Sequence, residues 1–342
     1  MNPRTKKILN FVLIFGTLAI VLIIGASGQE LGSALDALRT IAPQWIVLCA
    51  LSFVVYTVLD ALIIWYFLHR QGYVITFGYA LFVAIAGLYY SNVTPGATGG
   101  QPMQVYHLKQ RNVPIAIGTS ALAVKYFCFH IMLMLFSTVL WIAHGPFIQQ
   151  QVGGSMWILI FGYTYNAVSV LAVLLVAINK RWVRAIIGWV LRLGVKLRLC
   201  KDPEGTRAKL EEGLESFHSS IMMLARHPLD FAVQMLMGGA QLLSQMIVIY
   251  FLYHAFGLSG IGYSQLTALG LLLYVSAAYT PLPGASGAQE GVFALYFSQV
   301  FPDNVRFIAL LLWRFFTYYI SLIVGAVVTV WQGMHENRRL KG

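Results

Sequence analysis

The heptapeptide PGATGGQ at Pro95–Gln101 returns almost unchanged as PGASGAQ at Pro283–Gln289, 188 residues later. Each copy directly follows an apolar arm, at residues 77–93 and 264–281, and is followed by a short segment. At about 1.5 Å per residue, neither of these following segments can cross a bilayer core of about 30 Å. Glycine-rich backbone is tolerated at membrane depth only where protein or a watery cavity encloses it. We therefore interpret each phrase as a turn that reverses the chain inside a membrane.

The composition is typical of an integral membrane protein. Of the 342 residues, 58% are hydrophobic and only 10% are charged, whereas soluble domains carry about 25% charged residues. Several apolar runs exceed the roughly 20 residues that a helix needs to cross a bilayer. The alternating pattern of barrel strands does not occur. The chain is therefore predicted to be an all-α polytopic membrane protein.

Six segments are predicted to cross the membrane as full helices, at about 8–25, 43–68, 115–142, 156–178, 228–256 and 305–332. The first has a basic start but is too long to favour a cleaved signal peptide. Residues 77–108 and 264–301 are predicted to form two re-entrant hairpins whose tips are the repeated phrases.

The distribution of basic residues predicts the orientation. If both termini are cytoplasmic and each hairpin returns to the face from which it entered, 19 of the 23 Lys and Arg residues lie in cytoplasmic segments. Such a bias follows the positive-inside rule. We therefore expect a multi-pass protein of the cytoplasmic membrane with both termini inside the cell.

A second match supports an internal repeat. VKYFCFHI at Val124–Ile131 aligns with WRFFTYYI at Trp313–Ile320 at an offset of 189, which places Lys125 over Arg314. Each half then consists of two spans, a hairpin and a third span. Because three full crossings per half is an odd number, the second half is expected to be inverted, as in many transporters.

The chain is thus predicted to be a single membrane domain, residues 1–342, with two inverted-topology repeats. The first repeat covers residues 8–142 and the second covers 156–332. The second repeat contains an insert at 179–227, in which basic and apolar residues alternate at helical spacing. This pattern predicts amphipathic helices on the cytoplasmic side, either on an anionic membrane surface or packed against the protein.

The hairpin tips supply the first candidate site. Thr98 with Gln101, and Ser286 with Gln289, fit the S/T-x-x-E/Q pattern of a helix cap. A helix that begins at a tip directs N–H groups and a positive dipole end into the membrane, where they suit phosphate. The alternative is that these polar side chains only accept hydrogen bonds from backbone N–H groups and bind no ligand. The glycines at the two hairpin tips are Gly96, Gly99, Gly100, Gly284 and Gly287.

Charged residues inside the predicted spans supply the second set of candidates. Lys125 and Arg314 are costly at that depth, so they are predicted to bind an anionic headgroup, with snorkelling to the interface as the alternative. Glu290 could pair with Arg314, recognise a cationic headgroup or take up a proton; otherwise it is a first-turn acid that the helix dipole stabilises. Asp60 is a weaker candidate.

Several other classes of function are not indicated. The chain has neither HExxH nor GxxxxGK[ST], and its three cysteines are isolated in sequence. No metal, cofactor or catalytic residue is therefore predicted. The net charge of +11 is explained by cytoplasmic loops, so a nucleic-acid partner is not expected.

The phrases SNVTPGATGGQPMQVYHL and YTPLPGASGAQEGVFALYF, together with ALAVKYFCFHI and ARHPLDF, resemble the lysylphosphatidylglycerol synthase transmembrane-region family, the flippase part of the bacterial multiple peptide resistance factor. The resemblance covers nearly the whole chain. It implies a membrane domain that moves phospholipids, notably lysyl-phosphatidylglycerol, from the inner to the outer leaflet.

The resemblance also implies what to expect of catalysis. In full-length members a soluble C-terminal domain transfers an aminoacyl group to phosphatidylglycerol. Here the sequence ends at Gly342, ten residues after the last predicted span. Aminoacyl transfer by this polypeptide is therefore not expected.

The predicted function is a flippase for a phosphate-bearing phospholipid, lysyl-phosphatidylglycerol being one example. One alternative is the phosphatidylglycerol lysyltransferase activity of the full-length family, which aminoacylates lipid and gives resistance to cationic peptide antibiotics. The other is a non-transporting partner of a lipid-modifying enzyme, docked through the basic insert. The sequence leaves both the headgroup and an oligomeric state open.

Overall fold

The computed structural model describes residues 41–178 and 226–341, with isolated positions between them, and describes side chains at 41–171 and 226–332. The predicted span at 8–25 and most of the insert at 179–227 lie outside the described residues. Throughout the described ranges the regular structure is helical, without a strand.

Eleven α-helices make up the two long described ranges. They are α1 Pro43–Arg70, α2 Phe77–Val93, α3 Gly100–Lys109, α4 Ile115–Ala143, α5 Gly145–Val152, α6 Met156–Ile178, α7 Pro228–Ala255, α8 Tyr263–Ala277, α9 Ala288–Tyr296, α10 Asp303–Arg314 and α11 Ile320–Lys341. A π-helical segment, Phe315–Tyr319, joins α10 to α11 without a break. Single 3₁₀ turns lie at Pro95–Ala97, Gly153–Ser155 and Pro283–Ala285.

Four of the described helical segments are long and apolar enough to cross a membrane. They are α1, α4, α7 and the continuous helix Asp303–Gln332. Their bounds agree closely with the predicted spans, and α6 covers a fifth predicted segment with 23 residues. Proline marks two of the starts, because Pro43 and Pro228 occupy first-turn positions where no N–H is needed.

Each half of the described chain has its own apolar core. One core lies mainly between α1, α2 and α4 and includes Ile64, Val83 and Leu122. The other lies mainly between α7, α8, α9 and α10 and includes Leu269 and Phe297. The halves meet mainly where α1 packs along α7, and α2 also packs against α11 and α4 against α7 and α8.

Polar contacts fasten α1 to α7 near one end of the interface. Gln234 Nε2 donates to Ile63 O at 3.2 Å. Asp230 accepts a hydrogen bond from Tyr66 Oη at 2.7 Å and pairs with Arg70 Nε at 3.0 Å. The large apolar side chains that remain exposed on the outer faces of the helices suit contact with lipid tails; they include Val47, Val54, Trp157, Leu236 and Val327.

Two pairs of consecutive helices, each pair joined by a turn, are shorter than the long helices described above. We call residues 77–109 the first hairpin and residues 263–301 the second hairpin. Their arms have 17 and 10 residues, and 15 and 9 residues. At about 1.5 Å per residue, every one of these arms is shorter than a bilayer core of about 30 Å.

The arms of the first hairpin pack closely because small residues face each other. A Cβ placed on Gly100 would lie 1.9 Å from Ser91 Oγ and 2.7 Å from the carbonyl oxygen of Gly87. The start of α3 therefore lies directly against the end of α2, and this close approach requires glycine at position 100.

Candidate functional site

The two repeated phrases meet in the folded chain. The Gly96 N–H donates to the carbonyl oxygen of Pro281 at 2.9 Å, which joins the first turn to the segment leading into the second. Tyr318 Oη donates to Asn92 O at 3.1 Å, and Asn92 Nδ2 donates to Ser321 Oγ at 2.6 Å. The first hairpin thus docks on both the second turn and the junction of α10 with α11.

The two turns begin with the same backbone conformation. Gly96 has φ +59° and ψ 24°, and Gly284 has φ +59° and ψ 21°. The following alanines, Ala97 and Ala285, are also left-handed, with φ +56° and +50°. Left-handed backbone at two successive residues is uncommon outside glycine, so the sequence repeat is also a repeat of an unusual local conformation.

The turns diverge at the next two residues. Thr98 is helical, with φ −69° and ψ −18°, whereas Ser286 is extended, with φ −60° and ψ 143°. The N–H of Gly99 donates to Thr94 Oγ1 at 2.8 Å. In the second turn the N–H of Gly287 donates instead to Glu290 Oε2 at 2.6 Å.

The predicted helix caps at Thr98 and Ser286 are wrong. Thr98 Oγ1 donates to the carbonyl oxygen of Pro95 at 3.0 Å, and Ser286 Oγ donates to that of Pro283 at 2.8 Å. The left-handed Gly-Ala pair turns the chain so that each hydroxyl faces back into the 3₁₀ turn. A helix does begin at each tip as predicted, at Gly100 and at Ala288.

Thr94 has a capping role that the sequence analysis missed. Its Oγ1 accepts from the Gly99 N–H and donates to Tyr90 O at 2.6 Å. We expect Thr94→Val to lower the free energy of unfolding by about 1 kcal/mol, as for other lost caps. Thr98→Val, which removes an exposed hydroxyl from the same turn, is the matched control and should change it much less. Thermal unfolding of purified protein measures both, and equal losses would contradict the assignment of the cap to Thr94.

Arg314 is buried and holds the second turn. It is 2% exposed, and its Nε lies 2.6 Å from Glu290 Oε1. Nη1 donates to Gln289 Oε1 at 2.6 Å, while Nη2 donates to Gly284 O at 3.1 Å and to Ser286 Oγ at 3.3 Å. One guanidinium thus contacts three residues of the second phrase and also Glu290, the residue after it. Two of the alternatives for Glu290 are present in this structure: its carboxylate pairs with Arg314, and in the first turn of α9 it accepts from the Gly287 N–H.

An aromatic ring completes the surroundings of the guanidinium. Arg314 Cζ lies 4.6 Å from the centroid of the Tyr318 ring, a distance at which a cation–π contact is favourable. Because Tyr318 also donates to Asn92 O, the same residue links Arg314 to the end of the first hairpin.

Lys125 lies in a different polar cluster. Its Nζ donates to both carboxylate oxygens of Asp60, at 2.9 and 3.0 Å, and Gln241 Nε2 donates to Asp60 Oδ1 at 2.8 Å. These three residues belong to α4, α1 and α7, so the cluster spans the interface between the halves. The alignment of Lys125 with Arg314 in sequence therefore does not extend to their partners, and Asp60 is more central than its sequence suggested.

Both tips are partly exposed. Residues 95–98 are exposed in the first turn, as are Pro281, Leu282 and Gly287 in the second. Gln101 is exposed at the start of α3. Exposed backbone and amide groups lie here between long apolar helices. Within the described ranges, no three His, Cys, Asp or Glu side chains come together as a metal site.

Comparison with known proteins gives two findings. Residues 8–325 match the family described as "Lysylphosphatidylglycerol synthase TM region", which confirms the resemblance drawn from the hairpin phrases. The chain is also similar to a "UPF0104 membrane protein" of Archaeoglobus fulgidus, with 28% identity over 272 residues, covering 75% of this chain and 76% of that protein.

Proposed function

Because the chain belongs to the lysylphosphatidylglycerol synthase transmembrane-region family, we propose that it moves a phosphate-bearing phospholipid between the leaflets of the cytoplasmic membrane. The lipid class includes phosphatidylglycerol and its aminoacyl esters. Movement is passive or ion-driven.

The observation that carries this proposal is the contact between the two exposed turns. Irregular backbone at membrane depth is tolerated only where protein or a water-filled cavity satisfies it. Both turns leave residues exposed beside apolar helices, and we infer that a water-filled cavity adjoins them. A polar headgroup can follow the same route while its acyl chains stay in the lipid.

The proposed architecture has six full spans and two re-entrant hairpins in inverted repeats, with both termini cytoplasmic. Its support is the shortness of the hairpin arms and the shared left-handed conformation of Gly96 and Gly284. Interrupted helices that meet near the midplane are typical of transporters built from inverted repeats.

Within this pathway we assign different roles to the candidate residues. Thr98 and Gln101 are exposed at the start of α3, where N–H groups and the helix dipole favour a phosphate. Lys125 supplies positive charge to the headgroup. Arg314 shapes the second turn together with its partners Ser286, Gln289 and Glu290, since its guanidinium already contacts all three.

The proposal is tested by reconstitution into phosphatidylcholine vesicles that contain fluorescent phosphatidylglycerol, with dithionite bleaching of the outer leaflet as the readout. We expect wild-type protein to make the inner-leaflet label accessible. Lys125→Met should slow this at least about tenfold, equivalent to about 1.4 kcal/mol. Because that change leaves Asp60 without its cation, Lys125→Met/Asp60→Asn is tested beside it.

The matched control is Lys109→Met, which removes an exposed lysine at the end of α3 and should leave the rate unchanged. If dithionite bleaches only the outer-leaflet label of vesicles that contain folded wild-type protein, lipid movement is refuted. If both Lys125 variants move lipid at the wild-type rate, the role of Lys125 is refuted, while lipid movement by the protein still stands.

A further inference from the structure

The Asp60 carboxylate is buried at the interface between the halves and depends on one cation. Asp60 is 2% exposed, and its two oxygens accept from Lys125 Nζ at 2.9 and 3.0 Å. Gln241 adds an uncharged amide donor at 2.8 Å. A buried carboxylate is costly unless it is paired, so Lys125 is what allows Asp60 to stay ionised.

In the described part of the chain, the other titratable groups near this pair are tyrosines. Tyr56 lies one helical turn before Asp60 on α1 and interacts with it, and Tyr274 on α8 interacts with Tyr56. Neither hydroxyl supplies a positive charge. Among the described groups that face Asp60, Lys125 is therefore its counter-ion.

The two members of the pair differ in accessibility. The Lys125 side chain is 18% exposed, whereas that of Asp60 is 4% exposed. An ammonium carries three donors, and Asp60 takes two of those on Lys125. Of the two partners, Lys125 is therefore the one that we expect an anion to approach, while the Asp60 carboxylate stays away from water.

We propose that Asp60 is a proton-binding site coupled to phosphate binding at Lys125, an inference that rests on the proposed function. When a phosphodiester takes the Lys125 ammonium, Asp60 loses its counter-ion in a poorly hydrated site. The carboxylate is then neutralised by a proton from water, because burial disfavours the charged form. Gln241 Nε2 continues to donate to one of its oxygens.

Charge balance makes this exchange reasonable. Before binding, the ammonium and the carboxylate cancel. After binding, the ammonium and the phosphodiester cancel, and the protonated Asp60 is neutral. The site holds no net charge in either state, so neither state incurs the large cost of an unpaired buried charge. One proton is thus bound with each lipid, and a pH gradient can drive lipid movement.

The first test measures protons and requires no transport. Short-chain phosphatidylglycerol is added to detergent-solubilised protein in a weakly buffered solution that contains a pH indicator. We expect uptake of about one proton per lipid bound by wild-type protein, and none by Asp60→Asn or by the charge-neutral Asp60→Asn/Lys125→Gln. Asp230→Asn, which removes another ion-paired aspartate on a long helix, should behave as wild type. Binding without proton uptake in wild type, or uptake retained by both Asp60 variants, would overturn the proposal.

The second test uses the labelled vesicles with a pH difference across the membrane. Full coupling predicts that label accumulates about tenfold per pH unit toward the alkaline leaflet, and that Asp60→Asn, which keeps the Lys125 ammonium, loses this response. A sodium gradient serves as the comparison. Lipid movement that ignores the pH difference, or follows only sodium, would overturn the coupling while leaving the proposed function standing; no lipid movement at all would refute the proposed function itself.

Discussion

Replacing Gly284 with alanine is expected to unfold the second turn, with a loss of about 2–5 kcal/mol in the free energy of unfolding. An added Cβ would lie 2.0 Å from Cε2 of the Tyr318 ring. That ring is 2% exposed and is held by Asn92 O and the Arg314 guanidinium, so it has little room to move. Overpacking costs about 1–3 kcal/mol, and left-handed backbone adds about 1–2 kcal/mol for a residue with a Cβ.

Two matched glycines separate these contributions. Gly96 has the same φ of +59°, but the nearest atom to an added Cβ is 3.8 Å away, so Gly96→Ala should show only the backbone cost. Gly291 lies in α9 with nothing within 4 Å of an added Cβ, and Gly291→Ala should be neutral or stabilise by up to about 1 kcal/mol. Denaturant or thermal unfolding in detergent ranks the three variants. Equal losses for Gly284→Ala and Gly96→Ala would show that Tyr318 does not constrain the second turn.

Arg314→Met is expected to cost about 3–5 kcal/mol, because it leaves the Glu290 carboxylate buried without a cation. It also removes the donors to Gln289, Gly284 and Ser286. The variant should therefore lose lipid movement together with stability. Arg314→Met/Glu290→Gln removes the unpaired charge and should recover part of the stability, which thermal unfolding measures.

The comparison for this prediction is the Arg70–Asp230 pair. The Arg70 side chain is 53% exposed, and exposed ion pairs contribute little. Arg70→Met should therefore have a much smaller effect than Arg314→Met. If the two single variants lose equal stability, or if the double variant is no better than Arg314→Met, burial of the Glu290 charge is not what makes Arg314 necessary.

The long helices could be predicted from sequence because their signals are local. A run of apolar residues that starts at a proline and ends near a basic residue describes α1, and its predicted limits, 43–68, differ from Pro43–Arg70 by two residues. The hairpin turns were equally visible, since the repeated PGA begins both. In each of these cases the information lies within a few residues of the structure it produces.

The polar partners could not be predicted in the same way because they are distant in sequence. Lys125 and Asp60 are 65 residues apart in sequence, and Asp60 and Gln241 are 181 residues apart. The capping pattern at Thr98 failed for a local reason: the left-handed residues before it direct its hydroxyl back to Pro95. By contrast, Glu290 does act as a capping acid. It lies three residues after Gly287 and accepts a hydrogen bond from the Gly287 N–H, which is the spacing of a capping box.

The hydrogen bond between Gly96 and Pro281 is asymmetric in a way that follows from covalent structure. Proline has no N–H, so Pro281 can accept from the first turn but can return nothing through its own backbone. At this point a single main-chain bond joins the halves, and such a bond contributes only about 1 kcal/mol. Thermal fluctuation is enough to break and remake a link of that strength, while Tyr318 and Ser321 keep the end of the first hairpin attached through Asn92.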